Sequence, residues 1–224
     1  MTYIIILNYN GWKDTIECLN SLSCIQEDCK IVLIDNKSTD DSIDKLEKWI
    51  QNQKELSSNL IFIKSSENNG YAAGNNVGIK YVESQEDAQF IWILNNDTLI
   101  QEDTFKNLIN CYKNLENENI ALLGSKILNE DLTIQSVGFT TKQYSQKEIE
   151  VLSNVEVEHI SGCSVFFRVK KIKEIGYIPE EYFLYYEETD WMKSIKQKGF
   201  KIFTCLSSQL INKHAKSTGG IYSP

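Results

Sequence analysis

The chain has only two prolines and two histidines in 224 residues, and no CxxC pair among its six cysteines. No histidine lies near a cysteine at zinc-site spacing, so Cys18, Cys24, Cys29, Cys111, Cys163 and Cys205 read as reduced, mostly buried thiols. No apolar run approaches the ~20 residues that a membrane-crossing helix needs. The opening MTYIIILNYN lacks the basic start and small-residue cleavage site of a signal peptide, and a cytoplasmic protein is expected. Basic charge is scarce as well: 23 Lys and Arg face 31 Asp and Glu, for a net charge of -8 and a pI near 4.9. That balance argues against a nucleic-acid partner, which requires a concentrated basic surface. Neither GxGxxG after the first apolar run nor GxxxxGK[ST] is present, so the usual backbone cradles for phosphate are missing. Without low-complexity linkers or internal repeats, the chain reads as one continuous domain over 1–224.

What is present is a core and an alternation. At 42% hydrophobic the chain can bury a substantial interior. The runs YIIILN (3–8), KIVLID (30–35), LIFIK (60–64) and FIWIL (90–94) are made of β-formers. Between them lie WKDTIECLNSLS, STDDSIDKLEKWI and GYAAGNNVGIKYV, followed by EDTFKNLINCYKNL, with apolar residues at helical spacing. Asp40 or Ser38 is expected to cap the second helix. Near-continuous apolar strands between amphipathic helices predict an α/β fold, a mostly parallel central sheet with helices on both faces. The second half differs. IALLGSKIL, TIQSVGF and VEHISGCSVFFR are strand-like with no strong helix between them, then EETDWMKSIKQKGF reads as a helix and KIFTCL as a strand, predicting a mixed, partly antiparallel half.

The polar residues cluster where the predicted strands end. Asn8 and Asn10 follow the first, Asp35 and Asn36 the second, and Asn95, Asn96 and Asp97 close FIWILNNDTLI. Open α/β sheets bind ligands at the carboxyl ends of their strands. In an acidic chain without a phosphate loop, a diphosphate needs its charge offset, and a divalent metal held by an oxygen ligand such as Asp97 is the economical solution.

ILNYNGWKDTIECLNSL, VLIDNKSTDDS, ENNGYAAGNNVGI, ILNNDTLI, ISGCSVFFR and FLYYEETDWMKSIKQKGF occur in an order and spacing that resemble family 2 inverting glycosyltransferases of the GT-A fold. The match is closest to the rhamnosyltransferase-like group. The resemblance implies a Rossmann-like nucleotide-binding half (1–100) and an acceptor and catalytic half (101–224). Asn8 and Asn10 would line the nucleotide pocket and Asp35 would bind base or ribose, with Asn69, Gly70 and Asn75 in a loop over the nucleotide. Asn95, Asn96 and Asp97 match the Asp-x-Asp motif, with Asp97 a ligand of Mn2+ or Mg2+ and Asn95 replacing the first acid. His214 would complete the metal or diphosphate contacts, and Gly162 would lie beside the sugar and acceptor.

Inverting transfer needs a carboxylate to take a proton from the acceptor hydroxyl. Glu187, Glu188 and Asp190 are the candidates, and the resemblance selects Glu188, where the family usually carries Asp. The implied donor is dTDP-rhamnose or a UDP-hexose, and the acceptor a glycan or lipid-linked glycan of a surface polysaccharide, which would bring the protein to the inner face of the membrane. The competing readings are a non-catalytic nucleotide-sugar or glycan-binding module on the same fold, and a nucleotidyltransferase, for which LNYNGWKD is a poor basic loop. Trp191, Met192 and Ile195 are expected in the core, and His159 in ordinary packing.

Overall fold

Strand β1 (Thr2–Asn8) is buried at six of its seven residues because it lies in the middle of a sheet, not at an edge. The structure, a computed structural model, describes residues 1–25, 28–53, 56–141 and 152–213. Strands β2 (Cys29–Asp35), β3 (Leu60–Lys64) and β4 (Phe90–Asn95) run parallel to β1 in the order β3-β2-β1-β4. Successive β1 side chains point to opposite faces. Ile4 and Ile6 meet Leu19, Leu46, Phe105 and Leu108 from α1 (Trp12–Ser21), α2 (Ser42–Asn52) and α4 (Thr104–Asn114). Tyr3 and Ile5 meet the layer formed by α3 (Gly70–Glu83), α5 (Ile172–Ile175) and α6 (Glu187–Gln197), where Ile79, Ile175, Trp191, Met192 and Ile195 are buried. The three expected core residues of α6 are therefore in the core.

The second half adds β5 (Thr98–Ile100), β6 (Ile120–Leu128), β7 (Ile134–Ser136), β8 (Asn154–Val157), β9 (Ser164–Arg168) and β10 (Lys201–Asn212). Strand β9 inserts antiparallel between β4 and β6, while β6 and β10 are parallel. Strands β5 and β8 pair antiparallel with β10, and β7 with β6, so the described residues form one mixed sheet of ten strands. VEHISGCSVFFR is not one strand: residues 158–163 leave the sheet as a connection and bury Ile160. The cap of α2 also differs, being Asp41, because Ser38 is bonded to Asp35 and Asp40 Oδ1 accepts the Ser42 N–H at 2.9 Å.

Register sets the site. Asn8 pairs with Asp35 and Leu7 with Asn95, so three polar residues end three neighbouring strands at one level. Leu94 pairs with Ser164, which brings the 161–163 turn beside them. Helix α3 lies very close to the sheet: a Cβ on Gly74 would come 2.6 Å from Leu7, and one on Gly78 would come 2.7 Å from Ile5. At the opposite end of β1, the Met1 amine donates to the Asp87 carbonyl at 3.0 Å.

Candidate functional site

A buried hydrogen-bond chain ties the strand ends together. The Asp35 carboxylate is fully buried; Oδ1 accepts the Ser38 N–H at 2.8 Å, and Oδ2 accepts Ser38 Oγ–H at 2.7 Å and Asn8 Nδ2 at 2.8 Å. Asn8 Oδ1 accepts from the Thr15 hydroxyl at 2.7 Å, and that hydroxyl accepts from Asn96 Nδ2 at 2.9 Å. One threonine in the first turns of α1 therefore connects the ends of β1 and β4. Asn10, in the left-handed region at φ 51°, accepts on Oδ1 from the Thr39 N–H at 2.8 Å and the Asp40 N–H at 3.3 Å, holding the loop after β2.

Beside this chain, Tyr71 joins three elements. Its hydroxyl lies 2.8 Å from the Gly162 carbonyl and 3.1 Å from Asn95 Oδ1, its backbone N–H donates to the Phe183 carbonyl at 3.0 Å, and its own carbonyl accepts from Asn75 Nδ2 at 3.0 Å. A Cβ built on Gly162 would stand 3.6 Å from Glu188 Cγ and 3.7 Å from the Tyr71 hydroxyl, so these three groups surround one small space. Glu187 is 3% exposed, and the Oε2 atoms of Glu187 and Glu188 are both buried without a hydrogen-bond partner.

The charges of these acids also act on their neighbours. Burial pushes the Tyr71 hydroxyl well above its ordinary pKa, and the charges of Glu188, Glu187 and Asp97 add to the rise. Burial lifts the Cys163 thiol to about 12, with Asp97 and Glu188 contributing in the same direction against the hydrogen bond from Ser161. Desolvation raises the Glu187 carboxyl, and Glu188 beside it raises it further. Carboxylates from the β4 tip and from α6 thus act on the same two groups.

Not every expected residue is turned into this region. Asn69 is exposed, its amide directed to Glu67 at 3.3 Å, and the neighbouring Asn68 faces inward instead, its Oδ1 accepting Asn36 Nδ2 at 2.8 Å and the Gly70 N–H at 3.0 Å. Asn75 is buried with Oδ1 unpartnered. Asp190 is exposed in the first turn of α6, and His159 stacks on Phe139 with ring centroids 5.0 Å apart. His214 lies outside the described residues. Thr15, Asn68 and Tyr71 were not singled out from sequence, and Ser38 was read only as a possible helix cap, since hydroxyls, amides and a tyrosine in helices and loops carry no local signature.

Among the described residues no three His, Cys, Asp or Glu side chains converge as a ready-made metal cage. Asp97 at the β4 tip supplies a single carboxylate. That fits a hard divalent cation held by one or two carboxylates together with substrate phosphates, and does not fit a site built wholly from protein ligands.

A mixed α/β sheet with its polar residues at the strand ends, flanked by a second-half helix that begins with two glutamates, has the architecture of the GT-A fold. Residues 3–176 match the family described as Glycosyl transferase family 2, and the chain belongs to that family. It is 24% identical over 210 residues to the low-salt glycan biosynthesis hexosyltransferase Agl10 of Haloferax volcanii, covering 90% of this chain and 64% of the relative. It is 26% identical over 166 residues to the minor teichoic acid biosynthesis protein GgaB of Bacillus subtilis, covering 73% of this chain and 17% of the relative. The mannosyltransferase PcManGT from Pyrobaculum calidifontis, solved in complex with GDP-Man and Mn2+, matches with a TM-score of 0.71 and 14% identity, over 96% of this chain and 57% of that one, a likeness of fold. The chain spans less than two thirds of the length of each of these proteins.

Proposed function

We propose that this glycosyltransferase inverts the anomeric centre as it moves a sugar from a nucleoside diphosphate to a hydroxyl of a glycan or lipid-linked glycan. The observation that carries the reading is that Glu188 and the Tyr71 hydroxyl face Gly162 across one small space, with Asp97 and Glu187 near enough to help raise the Tyr71 hydroxyl. Glu188 accepts the proton of the acceptor hydroxyl as that oxygen attacks the anomeric carbon, and the nucleoside diphosphate leaves from the opposite face of the sugar. A divalent cation, Mn2+ or Mg2+, held through Asp97, supplies charge neutralisation for the diphosphate. Asn8, Asn10 and Asp35 shape the nucleoside pocket and Asn95, Asn96 and Asn75 its sugar-diphosphate side, with Gly70 closing the loop over it. Residues 1–100 then form the donor half and 101–224 the acceptor half.

The hexosyltransferase relative supports a hexose donor, such as a UDP-hexose, ahead of dTDP-rhamnose. The roles of the two relatives, in glycan and in teichoic acid biosynthesis, support an acceptor within a surface polymer. No helix among the described residues is long and apolar enough to cross a membrane, and a lipid-linked acceptor would bring the protein to the inner membrane face.

The test is a calorimetric titration with UDP, dTDP and GDP, each with Mn2+ and again with chelator. One nucleotide binds only with metal, and Asp97→Ala weakens it at least ~10-fold. Glu188→Gln keeps the nucleotide affinity and loses transfer by about 10²-fold or more. A wild-type protein that binds no nucleotide refutes the donor site, and nucleotide binding with no transfer to any acceptor leaves the non-catalytic binding module.

A further inference from the structure

Four consecutive large side chains ahead of α6, Phe183, Leu184, Tyr185 and Tyr186, are 61, 47, 50 and 73% exposed. They form a fixed strip. Both Tyr185 and Tyr186 hold left-handed backbone, φ 70° and 73°, a conformation bulky residues avoid and which concentrates at functional sites. The strip is fastened at each end: the Phe183 carbonyl accepts the Tyr71 N–H, and the Tyr186 carbonyl accepts the Asp190 N–H at 2.9 Å. The first fastening needs Gly70, since a Cβ there would come 2.1 Å from the Phe183 carbonyl oxygen. The same tyrosine that braces Asn95 and Gly162 therefore also braces this strip.

We propose that residues 183–186 are the platform for the acceptor sugar, with Tyr185 and Tyr186 stacking on the apolar C–H face of an uncharged pyranose and turning its hydroxyl toward Glu188. This rests on the function proposed above. Three observations select the occupant. The next two residues, Glu187 and Glu188, open α6, and the Glu188 side chain lines the space at Gly162, 3.6 Å from a Cβ built there. Tyrosine offers a flat apolar face and a polar edge, the combination suited to a ring with C–H faces and equatorial hydroxyls. Finally, residues 179–192 contain Glu180, Glu181, Glu187, Glu188 and Asp190 and no Lys or Arg, and among the described residues only Glu180 of these five has an ion-pair partner, Lys80 at 3.6 Å. Such an edge disfavours an anionic unit lying on the strip itself and admits a neutral sugar.

Saturation-transfer NMR with methyl β-D-glucopyranoside, methyl β-D-galactopyranoside and N-acetylglucosamine tests this on three proteins: wild type, Tyr185→Ala/Tyr186→Ala and Tyr185→Phe/Tyr186→Phe. The wild type should transfer saturation to ring protons of at least one glycoside, the alanine pair should lose about 5-fold or more, and the phenylalanine pair should keep it. Thermal melts establish that all three are folded. Binding to phosphatidylcholine–phosphatidylglycerol vesicles should be at background throughout. Equal transfer to wild type and the alanine pair overturns the platform, as does no transfer to wild type, or vesicle binding that the alanine pair abolishes. A parallel titration with UDP, dTDP and GDP, each with Mn2+, should give the same nucleotide affinities in both variants as in wild type. Failure of nucleotide binding in all three, with glycoside transfer intact, sinks the donor reading and leaves the platform standing.

Discussion

At the scale of single residues, the site depends on two groups whose chemistry is set by burial. Tyr71→Phe keeps the ring and removes the contacts to Gly162 and Asn95. The expected outcome is a kcat lower by about 10-fold with the nucleotide affinity within 2–3-fold of wild type, since one hydrogen bond to a polar partner is worth ~1–2 kcal/mol; steady-state kinetics beside calorimetry will separate the two. Glu187 gives a pH prediction. Its folded pKa is raised by desolvation and by Glu188, so the native state favours the protonated carboxyl, and stability present at low pH is lost as pH rises through the raised pKa. Glu187→Gln should therefore melt higher than wild type at pH 7–8, and the two should converge below about pH 4, near the unfolded glutamate pKa. A variant that melts lower than wild type at pH 8 would contradict this. Asn8, Asp35 and Asn95 were legible in sequence because an apolar run that stops on a polar side chain is a local signal. Tyr71 was not, because its partners lie 24 and 91 residues away. Choosing between Asn68 and Asn69 requires knowing that Gly70 turns at φ 91°, which identical neighbours in sequence do not reveal.

At the scale of elements, the closeness of α3 to the sheet carries Tyr71 and Asn75 to the strand ends. Gly78→Val would push against Ile5 Cγ2 and Ile34 Cδ1, both within 3.0 Å of a Cβ at that position. Overpacking of this kind costs about 1–3 kcal/mol, a fall in Tm of roughly 2–12 °C for a chain of this size, and transfer should fall with it because the helix moves Tyr71. A scan of Tm and activity checks both; loss of neither would mean α3 yields without disturbing the site. The strand and helix alternation of the first half was readable since its periodicities are local. The break between β8 and β9 was not, nor the full length of β10, which continues past KIFTCL to Asn212 after a register shift between Cys205 and Gln209. Those boundaries are decided by partner strands β5, β6 and β8, and pairing partners leave no mark in a single strand's pattern.

At the scale of the whole molecule, the two halves share one sheet because β9 covers the edge of β4. A fragment of residues 1–100 would leave that edge, with Trp92, Ile93 and Leu94 on it, unpaired and open to association. It is expected to show no cooperative thermal transition by circular dichroism, whereas the full chain should unfold in one; a cooperative melt of the fragment would show the donor half to be autonomous. The mixed character of the second half was visible in sequence as strands without intervening helices, but not the insertion of β9 that fuses the halves. The parallel run of β1 and β2 has a practical consequence. Thr2 and Asn8 stand at opposite ends of β1, about 20 Å apart at the rise of a strand. A protein coupled to a sensor surface at the Lys30–Asp87 pair, which lies at the Thr2 end of the sheet, will turn the strand ends that carry Asn8, Asp35 and Asn95 toward solution.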